Sequence, residues 1–144
     1  ILTAAQLRGK QMGVPYAGAL TPTEAHELKQ HHGNAKLVDV RTRAEWDWVG
    51  RVPDAVEVEI MSWPGSRPNT AFLQELAQQV QKDAVVMFLC RSGARSHNAA
   101  AMATQAGFAN CYNVLEGFEG DRDANGHRNT VGGWRAAGLP WVQG

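Results

Sequence analysis

The sequence predicts an α/β layer fold with a mainly parallel central sheet flanked by helices on both faces. Three observations carry that expectation. Short apolar runs of strand length alternate with stretches of helical periodicity. The connections between them are short, as they are where strand–helix–strand units follow one another in a parallel sheet. The 144 residues suffice for one compact domain with a substantial core and are too few for two ordinary ones.

Residues 1–20 have little periodicity and four Gly or Pro positions, Gly9, Gly13, Pro15 and Gly18. They read as an N-terminal arm holding a short helix, ahead of a single domain over 21–144. Thr21-Pro22-Thr23-Glu24 is a helix start. Thr21 caps free N–H groups, Pro22 suits the first helical position, and Glu24 completes a capping box. This helix runs to about His32 and stops at Gly33. Residues 36–40 form a short apolar strand. Residues 55–60 alternate apolar and acidic side chains, the pattern of a half-exposed strand. Asn69 is expected to cap a second helix through Gln81, with Phe72, Leu73, Leu76, Ala77 and Val80 on one face. Residues 84–89 are the most apolar run and read as a central buried strand. An Ala-rich helix over 95–105, a strand over 111–115 and a last helix over 130–137 complete the set.

Composition narrows the function. Lys plus Arg and Asp plus Glu are balanced at 14 each, so nothing global points to nucleic acid or an anionic membrane as a partner. No apolar run approaches a membrane span. The two cysteines, Cys90 and Cys111, are too few for a disulfide scaffold or a cysteine-rich zinc site, and a reducing, cytoplasmic compartment is expected. The histidines suggest no metal set: His31 and His32 sit at a helix C-terminus, where positive charge is favourable.

Ligands of parallel sheets bind at the carboxyl ends of strands, which directs attention to Cys90-Arg91-Ser92-Gly93-Ala94-Arg95-Ser96. A cysteine ends a buried strand, a loop with a permissive glycine follows, and a helix begins. Free N–H groups of such a loop converge on one point, where the helix dipole also favours negative charge. Arg91 and Arg95 add positive charge. The setting favours the thiolate, the nucleophilic form, and the N–H groups can hold a charged sulfur or an oxyanion. Cys111, in an apolar strand without cationic neighbours, reads as packing.

This segment matches Cys-Arg-x-Gly-x-Arg followed by Ser or Thr, the active-site loop of rhodaneses, and the chain resembles that family over about residues 20–142. Asp39-Val40-Arg41 with Glu45-Trp46 looks like its first-strand motif. Gly50-Arg51-Val52-Pro53-Asp54-Ala55 resembles its Gly-His-Ile-Pro-Gly-Ala segment, with Arg51 and Asp54 as departures. Ala106-Gly107-Phe108, Val114-Leu115-Glu116-Gly117, Gly133-Trp134 and Gly138-Leu139-Pro140-Trp141 follow in the family's order. The resemblance implies a sulfurtransferase in which Cys90 takes sulfane sulfur from a donor such as thiosulfate. Residues from Arg91 to Ser96 would hold the persulfide, and cyanide or a thiol would accept the sulfur. It implies no metal or organic cofactor. Phosphatases resembling rhodaneses have five residues between Cys and Arg, whereas four separate Cys90 from Arg95, so a phosphatase or arsenate reductase is the less favoured alternative. A persulfide carrier for a protein partner and a non-catalytic binding module are the others.

Asp39, Arg41 and Glu45 are expected to form a scaffold of paired charges behind the loop. Trp46, Trp48 and Trp63 are expected to pack in the core. His97 is expected to turn away from Cys90. The stretch from Asp121 to Gly132 begins like a calcium loop, but Gly132 stands where a bidentate Glu belongs and no paired helices flank it. It reads as an Asx-turn-rich surface loop, with His127 and Arg128 overhanging the site to select donor or acceptor.

Overall fold

The computed structural model describes residues 1–143. In chain order its elements are α1 (Leu2–Met12), β1 (Gly18–Leu20), α2 (Pro22–His31), β2 (Ala35–Asp39), α3 (Arg43–Trp48), β3 (Val56–Glu57), β4 (Met61–Ser62), β5 (Arg67–Pro68), α4 (Phe72–Gln79), β6 (Val85–Leu89), α5 (Ala94–Gln105) and β7 (Asn110–Val114). Five strands form one sheet in the order β1-β7-β6-β2-β3, and every pairing in it is parallel. β4 and β5 form a small antiparallel pair beside it.

The pleat of β6 divides the core in two. Val86, Phe88 and Cys90 point to one face, where Phe72 and Leu76 of α4 and Ala99, Ala100 and Ala103 of α5 cover them. Val85, Met87 and Leu89 point to the other, against Ala5 of α1, Ala25 and Leu28 of α2, and Trp134. A strand buried on both faces has no room for polar side chains, which explains its unbroken apolar run. The expected α/β fold with helices on both faces is the fold observed. Thr21 Oγ1 accepts from the Glu24 N–H at 3.2 Å while Glu24 Oε1 accepts from the Thr21 N–H at 2.9 Å, so the predicted capping box starts α2. Thr42 and Glu45 form a second one at α3.

Several elements differ from the sequence expectation. Residues 1–20, read as an arm, hold an eleven-residue helix and a strand that pairs with β7 in the register Gly18–Tyr112 and Leu20–Val114. Their periodicity is weak because α1 approaches β1 through Gly9 and Gly18 rather than through large apolar side chains: a Cβ on Gly18 would stand 2.5 Å from the Ala5 carbonyl oxygen. The strand expected over 55–60 pairs only at Val56–Glu57, although the Val58 and Ile60 N–H groups still reach the Asp39 and Val40 carbonyls. Asn69 does not cap α4, which starts at Phe72. Its Oδ1 instead accepts from the Ala71 N–H, and its Nδ2 donates to the Glu59 carbonyl and to Glu75. The last helix over 130–137 is a series of turns. The segment is held against the turn after β7 instead: a Cβ on Gly133 would stand 2.6 Å from the Gly120 nitrogen, and the Trp134 N–H bonds to the Gly117 carbonyl. Among the described residues no helix is long and apolar enough to cross a membrane.

Candidate functional site

Cys90 follows β6 directly and is 1% exposed, its side chain on the α5 face of the sheet. The chain then turns through Arg91 and Ser92 to Gly93, whose φ of 112° lies in the region that glycine reaches without strain. That turn brings the Gly93 N–H to 3.1 Å from Cys90 Sγ. Ala94 opens α5, whose first N–H groups have no partner within the helix. The sulfur therefore sits at the positive end of a helix dipole.

The turn after β7 braces the loop from behind. The Phe118 N–H bonds to the Cys90 carbonyl at 2.8 Å and the Glu119 N–H to the Arg91 carbonyl at 2.9 Å. Gly117 makes this approach possible, because a Cβ there would stand 2.5 Å from both the Cys90 oxygen and the Arg91 carbonyl carbon.

The two loop arginines differ. Arg95 is ion-paired with Glu45 of α3, Nη1 to Oε1 at 2.7 Å and Nη2 to Oε2 at 2.9 Å. Burial alone would raise the Glu45 carboxyl, but hydrogen bonding and charge from Arg95 override it and hold the group at about 2. Arg91 is exposed and has no ion pair among the described residues. It is the uncompensated cation of the loop. Behind it, Arg41 is fully buried and donates to both oxygens of buried Asp39 and to the Gly50 carbonyl. Asp39 and Arg41 thus pair behind the loop, while Glu45 pairs with Arg95 at its rim.

A cavity of about 590 Å³ opens over the loop, with Glu45, Met61, Trp63, Arg91, Arg95 and Glu119 among its walls. An apolar trough of about 550 Å³ adjoins it between Trp48 and Trp63. Trp46 is buried as expected, whereas Trp48 is 81% and Trp63 58% exposed. Trp48 ends a helix of only six residues and Trp63 lies in the turn between β4 and β5, so neither faces the core.

Sequence reasoning missed a polar group beneath the loop. Ser96 Oγ lies 3.2 Å from Cys90 Sγ and donates to Asn113 Oδ1 at 2.6 Å, while Asn113 Nδ2 donates to the Gly93 carbonyl at 3.2 Å. The Tyr16 phenol, raised by burial and partly offset by an Asn113 hydrogen bond, lies 2.7 Å from His97 Nδ1. His97 therefore points toward Tyr16 and not toward the sulfur. The available signal was pleat parity: Asn113 shares the face of Cys111, which packs in the α5 core. Cys111 is fully buried, and burial raises its thiol.

The structure gathers Cys90, Arg91, Ser92, Gly93, Ala94, Arg95 and Ser96 into one turn, with Arg91 at the surface and Ser96 fully buried. His127 and Arg128 are not among the residues that line the cavity. Arg128 donates to the Gly120 carbonyl, and Asp123 accepts from the N–H groups of Asn125 and His127 and from the Thr130 hydroxyl. The stretch is an Asx-turn loop closed on itself.

The model of the "Rhodanese-like domain" family matches residues 21–124. The crystal structure of Rv0390 from M. tuberculosis is similar to this chain at 47% identity, with a TM-score of 0.82 over 90% of this chain and 99% of that one. Protein RC0915 of Rickettsia conorii, described as uncharacterized, is 38% identical over 83% of this chain and 92% of its own length. A protein of Allochromatium vinosum named "Sulfurtransferase" is 34% identical over 57% of this chain and 66% of its own length.

Proposed function

Since the chain belongs to the rhodanese-like domain family, we propose that it is a sulfurtransferase that carries sulfane sulfur on Cys90 as a persulfide. The observation that carries this reading is the position of Cys90 Sγ, 3.1 Å from the Gly93 N–H and at the start of α5, under a cavity with one uncompensated cation, Arg91.

In the proposed reaction the Cys90 thiolate attacks the sulfane sulfur of thiosulfate. A bond forms between Sγ and that sulfur, the bond to the sulfite group breaks with its electron pair, and sulfite leaves past Arg91. The terminal persulfide anion is held by the N–H groups of the loop from Arg91 to Ser96. Cyanide or a thiolate then takes the terminal sulfur and returns Cys90 as thiolate. Arg95 serves this scheme by tying the loop to α3 through Glu45, and Arg91 by attracting the anionic donor. The cycle calls for neither metal nor organic cofactor. The four-residue spacing between Cys90 and Arg95 supports sulfur over a tetrahedral phosphate or arsenate ester as the occupant. Two free cysteines support a reducing, cytoplasmic setting.

Intact-protein mass tests the reading. After thiosulfate, the wild type is expected to gain one sulfur mass that cyanide removes, and Cys90→Ser to gain none. No gain with any sulfane donor sinks the proposal. A second reading, a persulfide carrier serving a protein partner, is favoured by the exposed Trp48 and Trp63 beside the mouth. Weak turnover of small donors with fast transfer from a desulfurase would select the carrier.

A further inference from the structure

We propose that Asn113 is a positioning residue that takes the Ser96 hydroxyl proton and so leaves only an oxygen lone pair facing Cys90 Sγ. A serine hydroxyl has one proton to donate. Ser96 Oγ has two polar neighbours, Asn113 Oδ1 at 2.6 Å and Cys90 Sγ at 3.2 Å. The amide of Asn113 is oriented by its other end, since Nδ2 donates to the Gly93 carbonyl at 3.2 Å. Its oxygen therefore faces Ser96, and an amide oxygen only accepts. The serine proton goes to Asn113, and only lone pairs remain toward the sulfur.

The 3.2 Å contact is then a hydrogen bond only when the Cys90 S–H is the donor. A thiolate in the same place meets an oxygen lone pair unless Ser96 gives up Asn113 and swings its proton across. The Gly93 N–H pulls the other way, toward negative sulfur. Ionising Cys90 is thus coupled to turning one hydroxyl. Asn113 is 4% exposed on a strand whose other residues on that face are apolar, where an amide is costly without partners. Ser96, Gly93 and Tyr16 are those partners.

Other charged or titratable groups lie on the loop and on the elements packed against it: Arg91 and Arg95 from the loop and α5, Glu45 from α3, Asp39 of β2 with Arg41 just after it, Glu116 and Glu119 from the turn after β7, and the His97–Tyr16 pair beside Asn113. All are retained when only Asn113 or Ser96 is changed, so paired variants isolate the hydroxyl.

The inference concerns the same site as the proposed sulfur transfer, but its test needs no sulfur donor, so either can fail alone. Alkylation by iodoacetamide is followed against pH in a Cys111→Ser background, where Cys90 is the only thiol. Asn113→Leu, close in size and unable to accept, frees the serine proton for the thiolate. Its alkylation midpoint is expected about one pH unit lower than the parent's, with about tenfold faster reaction below both midpoints. With Ser96→Ala already present, adding Asn113→Leu is expected to move nothing. An unchanged or raised midpoint, or an equal drop without the serine, overturns the proposal. Infrared spectroscopy checks it with Asn113 in place: at low pH the Cys90 S–H stretch is expected at lower frequency than in Ser96→Ala, and equal frequencies refute it.

Discussion

Replacing Glu45 with glutamine removes one charge and almost no volume from the rim of the loop. The Glu45 and Arg95 side chains are 18% and 22% exposed, and both oxygen–nitrogen contacts are short. An ordinary glutamate titrates near 4.5, and this one is held at about 2, with burial opposing and Arg95 prevailing. At about 1.4 kcal/mol per pH unit, that difference sets a ceiling of about 3 kcal/mol on what the ionised carboxylate contributes to folding. Glutamine can still accept from the Thr42 N–H but leaves Arg95 half-buried and unpaired, so a loss of about 2–3 kcal/mol is expected at neutral pH. The sign with pH follows from the lowered value. The contribution is complete above about pH 4.5 and disappears as pH falls through about 2. Urea unfolding followed by tryptophan fluorescence, repeated at a series of pH values, measures both. The wild type is expected to lose more stability than Glu45→Gln between those limits, and the two curves to converge at the acid end. A neutral-pH difference under about 0.5 kcal/mol, or identical acid limbs, would refute the assignment of a strong, partly buried pair.

Gly117→Ala places a Cβ against the Cys90 oxygen and the Arg91 backbone at a φ of 63°. A loss of about 3 kcal/mol or more in urea unfolding is expected from left-handed strain and overpacking together, and an unchanged midpoint contradicts the bracing role of that turn. Arg91→Gln removes the uncompensated cation while leaving the Glu45–Arg95 pair intact. The KM for thiosulfate is expected to rise about tenfold with kcat within about twofold, and added salt is expected to narrow the gap between variant and wild type. A fall in kcat at constant KM would instead put Arg91 in the transition state.

How much of this was legible in the sequence depends on where each signal resides. The Cys90 loop was readable because every element of it is local: strand, cysteine, glycine, helix start and two arginines are contiguous. The strand at Val85–Leu89 and the helix at Pro22–His31 were readable for the same reason, through an apolar run and a capping box. Asn113 and Tyr16 were not. They stand 17 and 81 residues from the groups they bond, and only the order β1-β7-β6 brings them together. The contrast between Arg91 and Arg95 was hidden too, since it depends on a carboxylate 50 residues away. The helix expected at 130–137 failed because glycine contacts with another segment outweighed a weak local preference.

The strand at Gly18–Leu20 lies outside the matched span of residues 21–124, yet it covers the flank of the strand that carries Asn113, with Ala19 opposite that residue. Without it, Asn110–Val114 would present an open row of main-chain donors and acceptors, a template to which another extended chain can add. Three residues therefore act as a hem on the sheet. They keep the buried Asn113 amide from lying at an open border, and they make the closing of that border depend on a stretch of chain with little sequence pattern of its own.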